Sequence, residues 1–252
     1  MDQQYLKTGE RIDQLYSRDV KIIQSNNVFS FSLDAVLLAH FANVPQKASS
    51  TIVDLCAGNG AVGLFMASHT PSHIYEVEIQ DRLADMATRS VSLNRLDDQM
   101  TILNMDLAKV TSKIKKDSVA VVTCNPPYFA NYENSKKNPN KYYAIARHEL
   151  ETTLTAVMKA TSDLLKMNGK SYFVYRPDRL DDLFREMALH RLAPKRIRFV
   201  HPKANSEANM VLVEAIKDGK PNGVRIQKPI IVYNSENEYE KEVRGMLYGR
   251  ED

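Results

Sequence analysis

Apolar positions along this chain fall into short solid runs, each closed by a polar or turn-forming residue. The run 119–124 (Val-Ala-Val-Val-Thr-Cys) reads as a buried strand, and so do 52–55, 74–79, 100–105 and 170–175. Between them, 35–42 and 61–67 read as apolar helices. Residues 81–94 carry Leu83, Met86, Ala87 and Val91 at roughly helical spacing, a third helix with a core face. A fourth helix is expected from Ile145 to about Leu165, stopped by Asn168-Gly169, and most of 176–187 reads as a fifth. Strand and helix alternate, which is the pattern of an α/β sheet covered on both faces. Residues 195–203 and 209–216 read as a closing antiparallel pair. A short strand is expected around 20–23, and the charged tail 236–252 as a short helix or frayed end.

Composition narrows the class. At 252 residues, with 43% hydrophobic and 26% charged positions, the chain suits one large soluble domain. A formal charge of +3 permits an anionic partner without requiring one. Cys56 and Cys124 both lie in apolar strand contexts without a CxxC partner, so neither a disulfide framework nor a zinc site is expected. The N-terminus has no apolar leader, and no run approaches a membrane span. The expectation is a cytoplasmic monomer without metal.

Candidate chemistry gathers where strands end. The run 119–124 breaks off in Asn125-Pro126-Pro127-Tyr128. Two prolines lack N–H donors and fix their own φ, and Pro126 holds Asn125 away from the helical region. The turn presents an amide, backbone carbonyls and an aromatic ring at the sheet edge where α/β folds bind ligands. Upstream, Asp54 precedes Gly58 and Gly60, and Ala61 opens a helix: strand, glycine loop, helix. With Gly63 the spacing also matches G-x-G-x-x-G, so a dinucleotide is the rival ligand. Asp54 argues for a positively charged one instead. Glu78, at the end of the next strand, is placed to accept hydrogen bonds from ribose hydroxyls; Glu76, on the same side of that strand, competes with it. Asp106 ends the third strand, either as acceptor for an exocyclic amine or as the cap of the turn at Leu107. Asp34 and Ser32 are candidate caps for the helix at 35–42, and His40 on it reads as a core or boundary histidine.

Three strands ending in carboxylates and a fourth in Asn-Pro-Pro-Tyr resemble the class I S-adenosylmethionine-dependent methyltransferases that carry an (Asn/Asp)-Pro-Pro-(Tyr/Phe) motif. The stretches 29–38, 77–80, 125–128 and 146–149 make the chain similar to the bacterial valine-tRNA adenine-N6 methyltransferase family over roughly residues 10–233. The resemblance implies a Rossmann-like, mostly parallel sheet of seven strands with an antiparallel closing strand and helices on both faces. It implies one methyltransferase domain over 1–252, with 1–45 an extension on the cofactor side and 234–252 a charged tail. It also implies S-adenosyl-L-methionine as cofactor: Asp54, Ala57, Gly58 and Gly60 at the methionine end, Glu78 and Ile79 at the ribose, Asp106 and Leu107 at the adenine, and Asn125 beside the transferred methyl.

The chemistry follows from the nitrogen. An exocyclic amine conjugated to a ring is a poor nucleophile because its lone pair is delocalised. Its two N–H groups need two acceptors, the Asn125 side-chain oxygen and the Pro126 carbonyl. Those bonds favour a pyramidal nitrogen and stabilise the charge that develops on it. Pro127 stiffens the turn, and Tyr128 offers a face on which a flat base can stack. Phe129 and the lysines Lys136, Lys137 and Lys141, interleaved with tyrosines, suit a nucleic-acid substrate, with Arg147 and His148 beyond them. The basic residues Lys195, Arg196, Arg198, His201 and Lys203 read either as a rim for an RNA backbone or as a charged strand edge. The expected activity is methylation of adenine N6 in tRNA. Guanine-N2 methylation of rRNA and glutamine-N5 methylation of protein are the alternatives on the same fold, and a non-catalytic RNA-binding module is the alternative of another class.

Overall fold

The computed structural model describes residues 2–25, 33–126 and 153–249. Five strands lie parallel side by side: β3 (Thr51–Leu55), β4 (His73–Glu78), β5 (Met100–Asn104), β6 (Val119–Cys124) and β7 (Leu165–Tyr175). β8 (Leu192–His201) and β9 (Met210–Lys217) close the sheet, β9 running antiparallel to both β7 and β8. The order is β10-β8-β9-β7-β6-β3-β4-β5, so the seven expected strands are present. Two two-residue strands, β10 (Arg225–Ile226) and β11 (Ile230–Ile231), add to β8.

One face of the sheet packs against α1 (Leu33–Phe41), α2 (Ala61–Ala67) and α3 (Asp81–Leu93), with Val36, Leu64, Phe65 and Val91 among the buried residues. The other is covered by a 3-10 turn at Leu107–Ser112, α4 (Leu154–Leu164) and α5 (Leu180–Leu189), around Val157, Met158, Leu183 and Met187. These strands are apolar on both sides because helices cover both sides. A hairpin of β1 (Glu10–Leu15) and β2 (Val20–Ser25) packs with Ile23 against Leu83 and Met86 of α3. α6 (Lys241–Tyr248) buries Val243 in the α1–α2 core, so the charged tail contributes an ordered helix. Among the described residues, no helix is long and apolar enough to cross a membrane.

Two sequence expectations change. The fourth helix ends at Leu164, close to the expected Leu165, but Asn168-Gly169 is not its stop, because residues 165–169 already belong to β7. Asn168 has φ 62, and the β6–β7 register shifts between Val119 and Val121, so the Asn-Gly pair forms an irregularity within a strand. The basic residues of β8 are largely tied into the fold. Arg196 donates to the Phe41 carbonyl at 2.7 Å and pairs with Glu214 at 2.7 Å. Arg198 reaches Glu242 at 2.7 Å, and Lys195 donates to the Lys220 and Asn222 carbonyls. β8 is no open edge, because β10 and β11 cover it.

Candidate active site

The strand order β6-β3-β4-β5 sets the candidate residues along one carboxyl edge of the sheet. β3 ends at Leu55, and the chain then turns through two left-handed residues, Cys56 (φ 56) and Gly58 (φ 59). Gly60 (φ 82) starts α2. A side chain at Gly58 would be strained by that φ, yet among the described residues a Cβ there meets nothing within 4 Å. The turn is held from inside. The Ala57 amide donates to the Val77 carbonyl, and the Gly60 amide to the Ala57 carbonyl. Asn59, which sequence reasoning passed over, donates its amide to the Ile23 carbonyl of β2 at 3.0 Å and ties the N-terminal hairpin to the loop. Only a contact distant in sequence marks it.

Glu78 joins this loop to the next. Its carboxylate accepts the Gly58 amide at 2.8 Å through one oxygen and the Gln80 amide at 2.8 Å through the other. Burial pushes its pKa up, and the backbone amides partly offset the rise. The Ile79 amide and the Gln80 side chain also lie against the carboxylate. Ile79, half-buried, follows it. Asp106 caps the 3-10 turn by accepting from the Ala108 amide at 2.8 Å, with Leu107 buried behind it. The capping reading therefore holds for Asp106, which is half-buried and keeps its second oxygen.

Asp54 sits deeper. It is 1% exposed, in register with Thr123 on β6 and Glu76 on β4. The Thr123 hydroxyl donates to it at 2.5 Å. Burial raises its pKa to about 7, the neighbouring Glu78 charge adds to the rise, and hydrogen bonds from Thr123 and Glu76 moderate it. Glu76 is fully buried under α2, so of the two glutamates on β4 Glu78 is the one bound to the glycine loop. Burial drives the Glu76 pKa up as well, with Asp54 adding to the rise.

On β6, Cys124 lies beside Leu55, so Asn125 and Cys56 are the first residues beyond two adjacent strands. Asn125 is half-buried and Pro126 buried. The structure thus brings Asp54, Ala57, Gly58, Gly60, Glu78, Asp106, Asn125 and Pro126 to one edge. Pro127, Tyr128, Phe129, Lys136, Lys137, Lys141, Arg147, His148 and Ser32 lie outside the described residues. Among the described residues, no group of three or more His, Cys, Asp or Glu could hold a metal ion.

The edge carries three buried carboxyls, and among the described residues no ion pair neutralises any of them. Such a site favours a cationic ligand and disfavours a pyrophosphate.

Comparison with known proteins agrees with this geometry. The family model described as methyltransferase small domain matches residues 19–178. A tRNA1(Val) (adenine(37)-N6)-methyltransferase from Bacteroides fragilis is 26% identical over 181 residues, 71% of this chain and 74% of its own. One from Bacteroides thetaiotaomicron is 30% identical over 150 residues, 59% and 60% of the two chains. Among solved structures, a protein described as a predicted O-methyltransferase from Agrobacterium tumefaciens aligns with a TM-score of 0.68 at 21% identity, covering 86% of this chain and 96% of that one.

Proposed function

The chain belongs to the methyltransferase small domain family, and we propose that it transfers the methyl group of S-adenosyl-L-methionine to the exocyclic N6 of an adenine in tRNA. S-adenosyl-L-methionine is its cofactor, and when bound it supplies an electrophilic methyl on a sulfonium. Among the described residues, the clear space at Gly58 and the unpaired carboxyls around it fit that group. In this reading Asp54 and the 57–60 loop hold the cationic methionine end, Glu78 accepts from the ribose hydroxyls, and Asp106 with Leu107 meets the adenine.

Asn125 carries the reading. It stands just past β6, beside the glycine loop, and in this reading its side-chain oxygen and the Pro126 carbonyl accept hydrogen bonds from the two N–H groups of the amine. Those two acceptors orient the nitrogen lone pair and stabilise its developing charge, so positioning and electrostatics supply the rate. Tyr128 and Phe129 would stack the base, and the lysines of the same segment, with Arg147 and His148, would meet phosphate. The tRNA substrate is supported by the activity for which the bacterial relatives are named.

The test is transfer of labelled methyl to undermodified total tRNA, with nucleoside analysis. N6-methyladenosine is expected, and Asn125→Ala should lower the rate by about 10²–10³-fold while cofactor binding survives. N2-methylguanosine would overturn the base. Transfer only to protein glutamine would overturn the substrate class, and wild-type activity in Asn125→Ala would overturn the mechanism.

A further inference from the structure

Gly63 and Glu76 occupy each other's space. A Cβ at Gly63 on α2 would stand 1.4 Å from Glu76 Oε1, so the glycine that completes the G-x-G-x-x-G spacing makes room for a carboxyl. Glu76 is 0% exposed, and neither of its oxygens has a hydrogen-bond partner of regular geometry. Its carboxyl abuts the Asp54 carboxyl and the Gly63 amide. Asp54, its neighbour in register, takes the Thr123 hydroxyl from the other side. The surroundings are otherwise apolar or acidic. Met100 of β5 and Ala87 of α3 pack nearby, and Glu78 is the third carboxyl facing the pair. Among the described residues, no basic side chain forms an ion pair with any of the three.

Two adjacent carboxylates in a dry interior do not both ionise. Of this pair, Asp54 has a dedicated hydroxyl donor, which stabilises its charged form. Glu76 has only the poorly aligned Gly63 amide, which its complete burial and the facing Asp54 outweigh, so it is the member that keeps its proton. Resting on the cofactor reading above, we propose that Glu76 is a positioning residue: it stays a neutral acid and donates a hydrogen bond to Asp54, so that Asp54 is the group that ionises when the cationic cofactor binds. The proton lost from Asp54 goes to solvent, the pair passes from neutral to singly negative, and Glu76 keeps its own proton throughout. Glu76 touches neither substrate nor cofactor in this scheme. It acts through Asp54.

Linkage then fixes the sign. A cation that selects ionised Asp54 binds more tightly as pH rises, by up to roughly tenfold per pH unit below neutrality. The experiment is calorimetric titration with S-adenosyl-L-methionine from about pH 5.5 to about pH 7, in buffers of differing ionisation enthalpy so that released protons are counted. The wild type should release close to one proton at the acid end. Glu76→Gln, whose amide also donates, should keep both the affinity and the profile. Glu76→Met, similar in size without a donor, should bind more weakly and shift the profile to higher pH. A Met variant that behaves as wild type, or a Gln variant whose profile moves to lower pH, overturns the proposal, the latter because it would reveal a like charge removed.

Infrared spectroscopy of the free protein keeps the question decidable without the cofactor. At about pH 8 one protonated-carboxyl band should remain and should vanish in Glu76→Gln. Its absence from the wild type overturns the proposal. A wild type that binds no S-adenosyl-L-methionine at any pH sinks the cofactor reading instead, and the band still decides the state of Glu76.

Discussion

Glu214 on β9 and Glu76 on β4 are both buried glutamates on the sheet face that packs against α1 and α2, and their surroundings differ. Glu214 is 5% exposed and meets Arg196 at 2.7 Å and Lys170 at 3.2 Å. Glu76 is 0% exposed and has no ion pair among the described residues. Register links the two positions through one transverse row of the sheet: Arg196, Glu214, Tyr172, Thr123, Asp54, Glu76. At the β8–β9 end, charge is neutralised within the protein. Arg196 also lies 4.0 Å over the Phe41 ring, and the buried Lys217 ammonium pairs with Asp117 and donates to the Ser162 and Leu165 carbonyls. At the β3–β4 end, carboxyls gather beside a glycine loop with no counter-charge among the described residues. The first arrangement is complete and holds the closing strands to α1 and α4. The second is complete only when its carboxyls are protonated or a cation is bound, which is what a binding site for a cationic cofactor requires.

Gly63→Ala should have the largest effect on this contrast. Its Cβ would collide with the Glu76 carboxyl, which must shift within a fully buried site, and urea unfolding should show a loss of about 3 kcal/mol. Adding Glu76→Ala in the same chain should recover much of that loss, a strong departure from additivity. Additive losses would mean that Gly63 serves something other than the carboxyl.

Arg196→Met comes next. It leaves Glu214 with only the half-exposed Lys170 and deprives the Phe41 carbonyl of its donor, so a loss of about 2–3 kcal/mol is expected in the same assay. Methyl transfer should be little changed. A large drop in transfer with intact stability would show that the two ends of the row are functionally coupled.

The smallest effect is the pH dependence of the free protein. The carboxyls of Asp54 and Glu76 titrate higher in the fold than in the unfolded chain. The folded state therefore holds more protons than the unfolded chain: the contribution of Asp54 is present below 3.8 and is lost as pH rises from there through about 7, and that of Glu76 declines over the same rise and on beyond it. Each such proton changes stability by up to about 1.4 kcal/mol per pH unit. His40, pushed down to about 4 by burial with Arg18 adding to the shift, works in the opposite sense: its contribution is present above 6.5 and declines as pH falls toward 4. Unfolding midpoints followed over this range should fall on the alkaline side in the wild type and fall less in Glu76→Gln. An unchanged slope would place the proton elsewhere.

The seven strands of the main sheet, their alternation with helices and the glycine turn were legible in the sequence, because each depends on residues close together in the chain; β1, β10 and β11, short or mixed in polarity, were not. Apolar runs specify buried strands, Gly58 and Gly60 supply left-handed backbone, and Pro126 ends β6 by its chemistry alone. Period two set Glu76 and Glu78 on the same side of β4, but it could not tell their surroundings apart. That was decided by the 57–60 loop, which delivers an amide to Glu78, and by α2, which lays Gly63 over Glu76. The basic residues of β8 looked free as a string; the carbonyls of Phe41, Lys228 and Asn222 and the carboxyls of Glu214 and Glu242 that engage them arrive from elsewhere in the chain. The Asn168-Gly169 pair read as a helix stop, yet pairing with β6 draws the chain into β7 three residues earlier, at Leu165. Sequence determined the local backbone and the chemistry at the strand ends. Tertiary structure decided which charges are paired and which are left for a ligand, because burial and counter-charge come from residues far away along the chain.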